Sequence, residues 1–452
     1  MTILSLFGLM VGSGCTAGQF PASIPLPSPT AAPTLPPSEP AASPSPRPTA
    51  NPPPTLPSTA AAAPTATPTW TAAPTLPATA TTAPAVPPPT ATAAPAYAPL
   101  PPAGRAFAPL AAFWDGSAEW FLELYDVGLP VGESDTVDRG GGEFWSYLHA
   151  SHLSAGVVDQ CGDPVPFPGC VTLWRSWDGG ASFALENPVC LFPCRSCPCD
   201  PARDHTHQQQ YPRVALAGGR WVMVYEWGAG TYLRTSSDGV RWSGEVHVPG
   251  TGQWNAEPGT CPPGASIGEH PHIYDETEYG NCLVGAPPGI YLAGETLYVF
   301  VGLGRDPGHM GCYVGAASGG GLSHCAANPI LTGAAEYGPL DALGAAANPY
   351  FDFRTISSAD VVCEGAWCYM FYEGVRGPSS PTVVDDQFGL GLARSPAPTV
   401  DGQWEKYPRN PIILDLPGNV GVGHADVVVG PATYLYTATS PGTRGRYVLV
   451  YK

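Results

Sequence analysis

Ala366-Trp367-Cys368-Tyr369-Met370-Phe371-Tyr372 is an aromatic-rich strand entered from a small, tight turn. Four other segments repeat the arrangement: Glu143-Phe144-Trp145-Ser146-Tyr147, Arg220-Trp221-Val222-Met223-Val224-Tyr225, Glu295-Thr296-Leu297-Tyr298-Val299-Phe300 and Ala432-Thr433-Tyr434-Leu435-Tyr436. The five starts lie 77, 75, 71 and 66 residues apart. A hairpin recurring at nearly constant period is one supersecondary unit repeated about an axis. With short connections and no helical periodicity, that unit is a small antiparallel sheet, and the whole reads as an all-β, five-bladed β-propeller. Equivalent positions then converge on a central funnel, where function is to be sought.

Composition divides the 452-residue chain into 1–15, 16–104 and 105–452. From Pro21 to Gly104 there are 27 prolines in 84 residues, and Glu39 and Arg47 are the only charges. Such a stretch lacks the apolar mass for a core and favours extended polyproline conformations, so a disordered Pro/Thr/Ala-rich stalk is expected. Ahead of it, Leu4 to Gly12 is apolar but too short to span a bilayer, like the hydrophobic region of an export signal. Val11-Gly12-Ser13-Gly14-Cys15 resembles a bacterial lipobox, with Gly12 where Leu is usual. An exported, extracellular or cell-surface monomer is expected, touching membrane only through a lipid on Cys15, with simple secretion as the alternative. Residues 105–452 leave about 70 per blade, enough for four strands and their loops.

The net charge is −18, and only two lysines occur, Lys406 and Lys452. That balance argues against nucleic acid and anionic membrane as partners. Of thirteen cysteines, twelve lie inside the folded domain, a disulfide pattern for an exported chain. Cys363/Cys368, Cys161/Cys170, Cys261/Cys282 and Cys312/Cys325 are candidate pairs. Cys190, Cys194, Cys197 and Cys199, with His205 and His207 nearby, could hold zinc, but paired disulfides pinning a long loop are the expectation.

Seven or eight residues before each aromatic anchor lies the expected first strand of a blade, which lines the channel. The positions are Asp138, Arg213, Gly289, Asp360 and Asp426. Polar groups there are costly unless paired, hydrated or needed. One reading is structural, aspartates bonded to neighbouring backbone. The other is a carboxylate-lined channel, beside His424, that takes a polar ligand. Farther out, Ser176-Trp177-Asp178-Gly179-Gly180-Ala181-Ser182-Phe183 and Ser236-Ser237-Asp238-Gly239-Val240-Arg241-Trp242 look like the Asp-box turns of sialidase-type propellers. Their role is a turn: Asp accepts backbone N–H bonds and Gly supplies φ > 0.

Three stretches carry a resemblance to a known family: Trp367 to Gly377, Gly391-Leu392-Ala393-Arg394-Ser395 leading to Trp404-Glu405-Lys406-Tyr407-Pro408-Arg409-Asn410-Pro411-Ile412-Ile413-Leu414, and Gly423-His424-Ala425-Asp426-Val427. Together they resemble the five-bladed β-propeller glycosidase superfamily, which includes glycoside hydrolase families 32, 43 and 130. The resemblance implies hydrolysis by carboxylates at the funnel mouth, with polysaccharide or oligosaccharide as substrate. It puts the base at Asp138 and His424 near a channel calcium ion or water. For the acid, Glu269 in Glu269-His270-Pro271-His272-Ile273-Tyr274 resembles the family motif. Gly285 stands where the motif is expected, and Glu373, with Glu226 its counterpart one blade earlier, is a further candidate. The candidate catalytic set is therefore Asp138, Asp360, Glu373 and Glu269, with Arg213, His424, Asp426 and Glu226 as binding residues. Two alternatives stand beside glycoside hydrolysis: a non-catalytic surface propeller that binds glycan or protein, and a sialidase-like hydrolase.

Overall fold

A computed structural model describes residues 97–452 apart from 131, 151–155, 166–168, 195, 200–208, 228–229, 250, 252–286, 304–307, 334–350, 353–354, 377–386, 415–421, 423 and 441. Glu269, the Cys261/Cys282 pair, His205, His207 and the export and stalk segments lie outside the described residues. What is described is all-β apart from the short helix α1 (Leu110–Asp115). None of it forms a helix long and apolar enough to cross a membrane.

The strands form curled antiparallel groups. β1 (Ala118–Leu124) is set aside at the start and used at the end. β2 (Ser134–Gly140), β3 (Glu143–Ala150), β4 (Cys170–Ser176) and β5 (Ala184–Leu185) make one four-stranded sheet. β6 (Gln209–Ala217), β7 (Arg220–Trp227), β8 (Gly230–Ser236) and β9 (Val246–His247) make the next. Two further meanders follow. The earlier comprises β10 (Gly289–Ala293), β11 (Thr296–Leu303), β12 (His309–Ala316), β13 (Ser323–His324) and β14 (Leu331–Thr332). The later comprises β15 (Thr355–Glu364), β16 (Trp367–Arg376), β17 (Gln387–Pro396), β18 (Glu405–Lys406) and β19 (Ile413–Leu414). A parallel bridge, Ile290↔Asp360, joins the two into one larger sheet. Last come β20 (Asp426–Val428), β21 (Tyr434–Ser440) and β22 (Thr443–Tyr451), completed by β1 pairing with β22. The N-terminal strand thus closes the C-terminal sheet, and neither end of the domain leaves that junction unpaired.

Each aromatic segment is the second strand of its group, and packing explains its composition. Along β16, Tyr369 and Phe371 bury against Leu390, Val427 and Leu435 on one side. Met370 and Tyr372 bury against Phe300, Met310 and Ile356 on the other. Side chains alternate faces along a strand. A strand sandwiched between two neighbouring sheets must therefore be apolar at every position. The same division recurs in β3, where Trp145 and Tyr147 pack toward Trp221 and Phe144 and Leu148 toward Tyr434. The core is a set of such clusters between adjacent groups. The first strands, β2, β6, β10, β15 and β20, touch one another in a closed cycle that returns from β20 to β2.

The Asp-box turns behave as read. Asp178 Oδ1 accepts the N–H groups of Ala181 (3.0 Å) and Ser182 (2.9 Å) between β4 and β5. Asp238 Oδ1 accepts those of Val240 (2.9 Å) and Arg241 (2.7 Å) between β8 and β9. Disulfides join Cys363–Cys368 and Cys312–Cys325 as expected from the sequence. Cys161 does not pair with Cys170. The chain after β5 turns back along β4, Leu191 N–H donating to Val171 O (2.8 Å), and this sets Cys190 against Cys170. Cys161 bonds instead to Cys197, and Cys194 to Cys199.

Candidate active site

The five first strands contribute one residue each to a common level: Asp135, Arg213, Gly289, Asp360 and Asp426. All four side chains are buried, and the three carboxylates lie within 4.8 Å of one another. Each aspartate reaches sideways to the next strand. Asp135 accepts the N–H of Val214, Asp360 accepts that of Val427 (2.6 Å), and Asp426 accepts that of Thr136 (2.9 Å). Asp426 also accepts the hydroxyls of Ser134 and Thr136, both at 2.7 Å. These first strands belong to separate sheets, apart from the bridged β10 and β15, and the carboxylates link one to the next. Gly289 has no side chain to offer, and that junction closes by backbone pairing instead: a Cβ there would sit 2.4 Å from Ala359 O.

Arg213 supplies the positive charge. Its Nη1 lies 3.7 Å from Asp135 and 4.0 Å from Asp360, and donates to Ala425 O at 2.6 Å. One cation among three carboxylates leaves the level negative. Burial, with Asp426 adding to it, pushes Asp360 up from 3.8 to about 7. Burial and then Asp360 raise Asp135 well above the usual carboxylate range. On one side of this level the strands enclose a channel of about 310 Å³.

Two residues earlier on the same strands stands a second level of different character. Glu133 precedes β2, Tyr211 lies in β6, Ser358 in β15, and His424 precedes β20. His149 of β3 and Glu373 of β16 join them. Glu133 Oε2 lies 2.5 Å from His149 Nδ1, and Glu133 Oε1 is 3.4 Å from His424 Nε2. The same His424 Nε2 is 3.1 Å from Glu373 Oε2. Two carboxylates from different strands therefore share one imidazole nitrogen, and Ser357 Oγ donates to the other Glu373 oxygen at 3.3 Å. Burial disfavours the Glu133 charge, but His424 and His149 outweigh it and hold the group down at about 2. Burial drives His424 down to about 4 against the pull of Glu133, so the imidazole is neutral at pH 7. Tyr211 stands half-buried with its ring 5.0 Å from that of His424. Burial raises its phenol, and the charges of Glu133, Glu226 and Glu373 add to the shift.

Tyr211 and Ser358 both have φ of +51°, which non-glycine residues seldom adopt. Both sit in register shifts, between Gln210 and Arg213 in β6 and between Ser357 and Asp360 in β15. The bulge is the same device used twice to re-aim a side chain at the second level.

Of the residues singled out from the sequence, Glu373 and His424 meet at this second level, and Glu226 pairs across the strands with Gln210, next to Tyr211. Arg213, Asp360 and Asp426 meet as anticipated, with their polar atoms bonded to backbone, to hydroxyls and to one another, and Arg213 and Asp360 line the channel. Asp138 does not join them. It is exposed, three residues past the ring, where it lines the same channel and accepts the N–H of Gly140 (2.7 Å) at a bulge in the hairpin. Counting back from Trp145 lands there because the first hairpin is longer: Asp135 lies ten residues before its anchor, against seven or eight in the other groups. Glu133 and His149 were not anticipated. The signal for Glu133 was the match of Glu133-Ser134-Asp135-Thr136-Val137 to His424-Ala425-Asp426-Val427-Val428.

The residues of the ring do not fit the calcium ion that the resemblance implies. Calcium takes six to eight oxygen ligands. Here the carboxylates already accept backbone N–H groups, and a guanidinium stands within 3.7 Å.

No protein-family model and no curated protein matches the chain by sequence. Among solved structures it is similar to a thermostable family-43 glycoside hydrolase, at 13% identity and TM-score 0.43, over 73% of this chain and 91% of that one. It is also similar to an endo-1,4-β-xylanase of Bacteroides thetaiotaomicron (12% identity, TM-score 0.41, 72% and 91%). An endo-arabinase from the same organism gives 12% identity and TM-score 0.39 over 74% and 98%. Identities and scores this low leave the functional reading to the chain's own residues.

Proposed function

We propose that the chain is a carbohydrate-active glycoside hydrolase whose sheets are the blades of a five-bladed propeller, exported and acting on polysaccharide or oligosaccharide. The closed cycle of first strands supports the architecture. One observation carries the chemistry: Glu133, just before β2, and Glu373, in β16, flank a single nitrogen of neutral His424 at 3.4 and 3.1 Å. Those separations put the two nearest carboxylate oxygens no more than about 6.5 Å apart, a span at which two carboxyl groups can bracket one glycosidic bond. Glu133, held ionised, takes the part of base or nucleophile, and Glu373 delivers the proton to the leaving oxygen. Half-buried Tyr211 offers a flat apolar face for a sugar ring.

The test is release of sugar from a panel of aryl glycosides and plant or bacterial polysaccharides by the exported chain and by Glu133→Gln and Glu373→Gln. The account expects hydrolysis that drops roughly 10²–10⁴-fold in each variant. Absence of hydrolysis across the panel, or hydrolysis indifferent to both substitutions, contradicts it. Glycan binding without turnover is the second reading. It is favoured by the third group, where Pro287-Pro288-Gly289 brings no carboxylate to either level. A glycan array probed with both Gln variants separates the two, since binding without catalysis survives there alongside null turnover in the parent chain.

A further inference from the structure

Ser358 is a buried serine at φ +51°, and four contacts hold it there. Its N–H donates to Pro287 O (3.0 Å). Its carbonyl oxygen accepts from Arg213 Nη2 (3.3 Å). Its hydroxyl lies 2.9 Å from the same Nη2 and 3.2 Å from His424 Nδ1. A residue kept in a sparsely populated backbone region by so many partners is held there by its surroundings. What that position secures is the hydroxyl between a guanidinium and an imidazole.

The donor inventory fixes the direction of the chain. Arg213 can only donate, so Ser358 Oγ accepts from Nη2 and its own proton is left for His424 Nδ1. A neutral imidazole that accepts at Nδ1 carries its proton on Nε2. Nε2 is the nitrogen between Glu133 and Glu373, where a proton has a carboxylate to meet and a lone pair would face two. For the neutral imidazole both ends are satisfied in one arrangement only: Arg213 to Ser358, Ser358 to His424, His424 to the carboxylates.

We propose that Ser358 is a positioning residue that locks His424 in the Nε2–H tautomer, so that a single N–H bridges Glu133 and Glu373. Arg213 is the origin of that order, which links the charged ring to the level above it. The role in turnover rests on the glycosidase reading; the tautomer does not.

The experiment is ¹⁵N NMR of the histidine side chains in the full folded domain at pH 7, without substrate, with His424 assigned by its loss in His424→Asn. The parent chain is expected to show Nε2 protonated and Nδ1 unprotonated. Ser358→Ala and Ser358→Gly should both lose that single-tautomer pattern. Glycine suits φ +51° and also lacks the hydroxyl, so it stands in if the alanine variant fails to fold. An Nδ1–H tautomer or an imidazolium in the parent chain overturns the proposal, as does an unchanged pattern in the variants. If hydrolysis is found, kcat should fall in Ser358→Gly with KM kept. If no hydrolysis is found but the tautomer changes as stated, the glycosidase reading fails and the positioning stands.

Discussion

Two levels of carboxylates stand next to each other along the first strands, the upper completed by Glu373 from β16, and they are built oppositely. At the lower level Asp135, Asp360 and Asp426 each accept a backbone N–H from the neighbouring strand, with Arg213 among them. At the upper level Glu133 and Glu373 meet side chains from other strands, two imidazoles and a serine, and the main-chain bond of Glu133 is to its own backbone. Residue type does not separate structure from chemistry here. The partner does: a carboxylate tied to main chain fastens sheets, whereas one tied to titratable side chains can hold or release a proton.

The contrast is easiest to break through activity. Glu133→Gln and Glu373→Gln carry the largest expected effect, the loss in hydrolysis stated above. The staples come next. Asp426→Ala strands three donors in a fully buried site and should lower unfolding free energy by about 3–5 kcal/mol in denaturant titration. Asp426→Asn, which keeps an acceptor oxygen, should cost distinctly less. A loss below about 1 kcal/mol for the alanine variant would mean that the ring does not fasten the sheets.

The pH dependence of stability sharpens the comparison because the two levels slope in opposite directions. Asp360 is raised from 3.8 to about 7, so the folded chain binds the extra proton, and this group's contribution falls as pH rises across that window. His424 is lowered from 6.5 to about 4, so the unfolded chain binds the extra proton, and its contribution grows as pH rises from about 4 to 6.5. Melting temperature followed between pH 4 and 7 should rise more steeply in Asp360→Asn than in the parent chain and less steeply in His424→Asn. Slopes that shift in the same direction would contradict the assignment. The smallest effect belongs to Asp138→Asn, which should change neither hydrolysis nor stability by more than about 0.5 kcal/mol, as expected of an exposed side chain.

Much of the fold was legible because burial on two faces leaves a conspicuous mark. All five aromatic segments are second strands, since only an unbroken apolar run survives between two sheets. Four of the five ring positions followed from their distance to those strands. The fifth failed on local geometry: Gly140-Gly141-Gly142 and a bulge at Asp138 lengthen the first hairpin, and a fixed count overshoots Asp135. The upper level was harder to see. Glu133 and His424 are neighbours only because β20 returns to β2 and closes the cycle of first strands. The roles of Asp360 and Asp426 turned on which atoms they meet, and strand spacing alone does not reveal that.

The most direct test sets one variant from each level side by side, measuring melting temperature and hydrolysis on both. The account predicts that Asp360→Asn moves the pH profile of melting while hydrolysis at its optimum persists, and that Glu373→Gln abolishes hydrolysis while that profile holds. Loss of both properties in both variants would show that the two levels are one undivided structural core, and that the Glu133–His424–Glu373 cluster is no catalytic site.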